Sequence, residues 1–105
     1  MNVDKHLFTA SRWTSGNLIF PVQIEVSPDR VTRIKPKLFG ASEESIAIPK
    51  VASVSIQTGL LWSDIRIDSE GGSNPIVSHG HHKGDAQTIR ALIEQYQKQA
   101  GVHPS

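Results

Sequence analysis

Residues 76–96 read IVSHGHHKGDAQTIRALIEQY, and the hydrophobic period changes in the middle of them. Ile76, Val77, Ser78 and His79 follow the turn-forming run Glu70, Gly71, Gly72, Ser73, Asn74 and Pro75, which predicts a brief last strand. Beyond it Ala86, Ile89, Leu92, Ile93 and Tyr96 recur at three- and four-residue spacing, which sets them on one face of an α-helix. Gln87, Arg90, Glu94, Gln97 and Lys98 are left for solvent. Asp85 suits the N-cap, because its side-chain oxygen can accept an otherwise unpaired first-turn amide. One amphipathic helix, from residue 85 to about residue 99, is therefore expected to close the fold.

Upstream of that switch the period is two. Over residues 17–26, Leu18, Phe20, Val22, Ile24 and Val26 alternate with Asn17, Ile19, Pro21, Gln23 and Glu25, the clearest strand pattern in the chain. Pro21 cannot donate to a ladder, so an edge or a bulge is expected there. Ser27, Pro28 and Asp29 supply turn chemistry and predict a hairpin. Its return arm, residues 30–37, sets Val31, Arg33, Lys35 and Lys37 on a face expected to be wet, with Thr32, Ile34 and Pro36 opposite. Ile46 and Ile48 mark a strand closed by Pro49. Ala52, Val54, Ile56 and Thr58 then alternate with Val51, Ser53, Ser55 and Gln57 up to Gly59. Residues 60–68 separate Leu61, Ile65 and Ile67, assigned to the core, from Trp62, Asp64, Arg66 and Asp68. Residues 6–13 carry a weaker pattern, a strand or a short helix. Six or seven short strands before a single helix imply a strongly bent antiparallel sheet, open at one end and plugged by the helix.

The 105 residues make one domain by length, enough to bury about two thirds of the surface of the unfolded chain. Its core is expected over residues 6–99, with residues 100–105 a flexible tail. Cysteine is absent, which removes disulfides, thiolate zinc sites and thiol nucleophiles together. Eleven Lys and Arg against ten Asp and Glu leave a formal charge of +1, without the marked basic excess that accompanies nucleic-acid binding, so no specific nucleic-acid partner is expected. The start MNVDKHLF lacks the apolar run of a secretion signal, and no window approaches a membrane span, so a cytoplasmic location is the expectation.

The order of elements in LIFPVQIEVSPDRVTRIKPKLFGASEESIAIPKVASVSIQ (residues 18–57), a Trp-containing hairpin and KGDAQTIRALIEQY (residues 83–96) resembles the bacterial pleckstrin-homology-like domains. Three local features carry the likeness: IAIPKVASV at 46–54, DIRID at 64–68 and DAQTI at 85–89. They are packing and turn signatures, informative about fold and nearly silent about chemistry. The resemblance implies a mainly β (α+β) fold, a barrel of about seven antiparallel strands capped by one C-terminal helix, and a role as a binding or assembly module. In the eukaryotic relatives the first hairpin loop clasps an inositol phosphate with spaced basic residues. Here that loop is Ser27, Pro28 and Asp29, which argues against that mode.

Catalytic residues and cofactors are not expected: no serine sits in a nucleophile-elbow context, and Gly71-Gly72 precedes no phosphate-cradling helix. His79 and His81 share a face if residues 76–81 form a regular strand, and they could ligate one ion only if a carboxylate such as Asp85 or Asp68 joined them; without cysteine or a helical His pair, a solvated strand-to-helix connection is the expectation. Arg33, Lys35 and Lys37, roughly 7 Å apart on alternate positions, suit either a soluble strand face or contact with anionic lipid headgroups or another polyanion. Leu60 and Trp62 fall on the non-core side of their strand and mark a candidate interface. A protein partner follows, most simply a second copy of the chain in a homo-oligomer.

Overall fold

The computed structural model describes residues 5–11, 19–72 and 74–101. Trp13, Leu18 and most of the expected tail lie outside them. The hairpin predicted at residues 27–29 forms: the Ser27 N–H donates to the Arg30 carbonyl at 3.0 Å, and the Arg30 N–H returns a bond to Ser27 Oγ at 3.3 Å. It joins β2 (Gln23–Val26) to β3 (Arg30–Pro36), and β1 (His6–Thr9) and β4 (Ala41–Ala47) flank them in one antiparallel sheet ordered β1-β2-β3-β4. A 3-10 turn at Ile48–Lys50, started by Pro49, leads into β5 (Val51–Thr58), which continues through β6 (Ser63–Ser69) to β7 (Ile76–His81) as a second, three-stranded antiparallel sheet. The helix α1 (Lys83–Gln99) follows. Seven strands and one terminal helix among the described residues make the protein mainly β.

The strand expected over residues 17–26 is shorter than its alternation, since β2 begins only at Gln23 and Pro21 precedes the ladder. Its phase holds: Val22, Ile24 and Val26 are buried. The helix begins two residues before the expected cap. His82 occupies the N-cap position, and Asp85 sits in the first turn, where its charge complements the helix dipole.

Register fixes the inner face of the first sheet. His6 opposes Val26, Phe8 opposes Ile24, Val26 opposes Val31, and Val31 opposes Ile46. Because Ile24 also opposes Arg33, the row Val31, Arg33, Lys35 lies on the core face, contrary to the expectation of a wet one. Val31 is fully buried, Arg33 pairs with Glu44 at 3.1 Å, and the Lys35 ammonium donates to the Phe20 carbonyl at 2.6 Å. Hairpin pairing with the buried β2 row decides the face. Counting cations misreads it because long basic side chains lie along apolar surface and keep only their heads wet.

In the second sheet Ile65, Ile67, Ile76 and Ser78 turn inward, as alternation predicts for the first two. α1 covers both sheets, touching β2 on one side and β5 and β6 on the other, and sets Ala86, Ile89, Ile93 and Tyr96 into one core with Ile24, Val26, Ile48 and Ile67. Leu92 packs at the rim. Gln97, expected in solvent, is buried. Its amide donates to the carbonyls of Val51 at 3.0 Å and Ile48 at 3.4 Å, pairing two acceptors where the chain crosses from one sheet to the other. The Ser11 N–H also donates to the Gly80 carbonyl at 2.9 Å, linking the segment after β1 to β7. No helix among the described residues is long and apolar enough to cross a membrane.

Gln97→Ala removes the donor to the Val51 carbonyl and the second donor to the Ile48 carbonyl, which keeps the Val51 N–H, and is expected to lower the free energy of unfolding by about 1–3 kcal/mol, read from urea denaturation of the two proteins side by side.

Candidate interaction surface

Gly80 decides where the histidines go. Ser63 opposes His81 while Ile65 opposes Ser78, so two steps along β6 match three along β7, and one residue of β7 is extra. Gly80 takes φ +81, the left-handed conformation that glycine adopts without strain and that such bulges use. Asp64 clamps the bulge: one carboxylate oxygen accepts the Gly80 N–H at 3.2 Å, and the other lies 3.3 Å from His79 Nδ1.

The extra residue sends His79 and His81 to opposite faces, which corrects the expectation that they share one. His79 is exposed, whereas His81 is wholly buried and not part of a solvated turn. The two cannot meet at one ion, and no group of three or more His, Asp or Glu among the described residues is placed to hold a metal. His81 Nε2 shares a 2.6 Å hydrogen bond with Ser78 Oγ, and its Nδ1 is buried without a partner. A hydroxyl beside an imidazole is the start of a nucleophilic pair. Here both groups are sealed in the core at 1% and 0% exposure, where substrate cannot reach them. Loss of hydration lowers the His81 pKa from 6.5 to about 4, against the opposing pull of Asp85 and Asp64.

The surface beyond the bulge belongs to the β5–β6 hairpin. Its turn, residues 59–62, is closed by the Gly59 N–H donating to the Trp62 carbonyl at 2.8 Å. Strand alternation does not run through a turn, and this overturns two assignments. Leu61, expected in the core, is 67% exposed, and Trp62, expected to face outward, is half-buried, with its ring against the His82 ring at 5.5 Å between centroids. Leu60 is 89% exposed, as expected of a surface residue. Leu60, Leu61, Trp62, Gly59 and Thr58 line an open depression of about 590 Å³. A second one of about 420 Å³ adjoins it on the outer face of the sheet, lined by Ser55, Gln57, Asp64, Arg66, Val77 and His79. Both include Gln57 and Asp64, so a polar trough runs into an apolar tip.

The β3–β4 hairpin ends in another apolar tip that the strand reading left without a role. The Lys37 N–H donates to the Gly40 carbonyl at 2.9 Å, Gly40 takes φ +93, and Leu38 and Phe39 project from the turn, Phe39 at 91% exposure. Two large apolar residues where turn chemistry calls for polar ones were the available signal. Of the basic row only Lys37, which is exposed, stands at this tip; Arg33 and Lys35 lie half-buried behind it. No protein-family model, curated protein or solved structure matches the chain.

His81 binds fewer protons folded than unfolded between its two pKa values. Its contribution is therefore intact above pH 6.5 and lost progressively as the pH falls toward about 4. Unfolding free energy is expected to drop by about 3 kcal/mol across that interval on account of this group, and His81→Gln to flatten the slope measured by urea titrations at pH 7 and at mildly acidic pH.

Proposed function

We propose that the chain is a non-enzymatic pleckstrin-homology-like module that acts by protein association, in the first place with itself. Seven antiparallel strands and a C-terminal helix support that reading, although among the described residues the strands form a sheet of four and a sheet of three where the resemblance implies one bent sheet closed into a barrel. The observation that carries the functional reading is the Leu60–Leu61 tip, which holds two leucines in water at the mouth of the trough. Full burial of each contributes about 1.5–3 kcal/mol, and a rigid hairpin presents them with little further loss of conformational freedom. The polar groups around them, Gln57, Asp64 and Arg66, form the wet rim that surrounds such anchors at protein interfaces.

A second reading rests on the Leu38–Phe39 tip. An apolar wedge with Lys37 beside it and Arg33 and Lys35 behind it matches the needs of a peripheral contact with an anionic membrane, in which the side chains enter the headgroup layer and the cations remain in the surface potential.

Leu60→Ser combined with Leu61→Ser is expected to reduce the particle mass in light scattering at matched concentration while leaving the melting temperature within a few degrees; an unchanged mass would count against the tip. For the membrane reading, Leu38→Ser with Phe39→Ser is expected to lower the fraction that co-sediments with phosphatidylglycerol vesicles several-fold at low salt, and Lys37→Glu to do so more at low salt than at high.

A further inference from the structure

The hairpin turn fixes which way the main chain of β5 faces. The Gly59–Trp62 pair is hydrogen-bonded, and antiparallel pairs alternate between bonded and non-bonded. Along the register, Gln57–Asp64, Ser55–Arg66 and Ser53–Asp68 are thus bonded pairs, and Thr58, Ile56 and Val54 aim their N–H and C=O groups away from β6. β6 is the only strand that β5 pairs with among the described residues, so those groups form an open edge. Gln97 occupies the Val51 carbonyl at the start of β5, and the free part begins beyond the bulge between Val51 and Ser53.

This edge lacks the usual protection. VASVSIQT has no charge, no proline and a high content of β-branched residues, whereas the edge strand of the other sheet, β4, carries Glu43 and Glu44. Val54 and Ile56 face the core but remain half-buried, as they would where a covering neighbour is missing.

We infer that β5 pairs with β5 of a second copy, antiparallel about a two-fold axis at Ser55, joining two three-stranded sheets into one of six; this rests on the proposed self-association and names its surface. Two requirements select the register. Inward side chains must stay inward, and the outward-aimed groups of Val54 and Ile56 must meet their counterparts. Val54 against Ile56 of the second copy satisfies both and, unlike the registers centred on Val54 or on Ile56, sets the two half-buried apolar side chains against each other at both positions, giving about four main-chain hydrogen bonds. Ser55 then faces its own copy at about 4.5 Å between Cα atoms, and Ser53 faces Gln57 of the second copy. A neutral strand brings no like charges into apposition, so the edge is complementary to itself. The same register brings the Leu60–Leu61 tip to the end of β5 in the second copy at which its Pro49–Lys50 corner begins.

The absence of cysteine makes the register directly readable. Cα atoms at that separation lie within the range a disulfide spans, so Ser55→Cys is expected to yield a covalent dimer on mild oxidation. Ser53→Cys and Gln57→Cys should each stay uncrosslinked alone and give a crosslinked pair when mixed. Ser55→Asp, which sits across from Arg66 within its own sheet and so keeps the fold, should lower the dimer fraction at least tenfold in sedimentation velocity. A wild-type protein that associates while none of the cysteine variants crosslinks in this pattern overturns the edge pairing and leaves the association reading standing. A wild-type protein that sediments as a monomer throughout the micromolar-to-millimolar range overturns both.

Discussion

The contact on which the architecture depends is the seating of Ile89, Ile93 and Tyr96 between two sheets that share no ladder among the described residues. Each sheet has an apolar inner face that the other covers only in part, and a helix presenting a single stripe can satisfy both at once. Ile24 and Val26 come from one sheet, and Ile65, Ile67 and Ile76 from the other. All are buried, and with the helix residues they form one cluster. The polar contacts of the helix reinforce that seating. Gln97 pairs the carbonyls at the sheet-to-sheet corner, and the Tyr96 hydroxyl meets His6 Nε2 at 3.1 Å, tying the first strand to the last element.

Much of this was legible in the sequence, because burial enforces periodicity. The change from alternation to helical spacing near residue 82 marks the fold class, and the Ile65/Ile67 and Val22/Ile24/Val26 rows give the inner faces directly. Where the reading failed, a local geometry intervened that composition does not encode. Gly80 inserts a residue into β7 and reverses His81. The turn at residues 59–62 ends the strand before alternation can place Leu61 or Trp62. Gln97 is polar and composition sends it to water, yet the helix delivers its amide to two carbonyls at the corner. The basic row reads as a wet face by composition, whereas a face is set by what the neighbouring strand buries, here Ile24 and Val26.

The surface chemistry divides in a consistent way. The histidine-rich segment, which drew attention as a sequence, is absorbed into structure: His81 into the core, His82 against Trp62, and His79 onto the carboxylate that holds the bulge. Among the exposed groups, two features stand apart from the ordinary charged surface: apolar residues at hairpin tips, and a neutral strand on a sheet edge. Exposed apolar tips and a neutral strand edge are surfaces that a neighbour of similar character can cover.

Among the described residues α1 follows all seven strands, and this order bears on how the core is assembled during synthesis. During translation both sheets emerge with their isoleucine faces uncovered, and they stay so until the last turn of α1 has left the ribosome. Over that interval the nascent protein holds a sticky, half-built core beside an unguarded strand margin, the combination that favours misassembly between neighbouring chains on one message. Slower synthesis of the helix lengthens the time for which those isoleucine faces stand open.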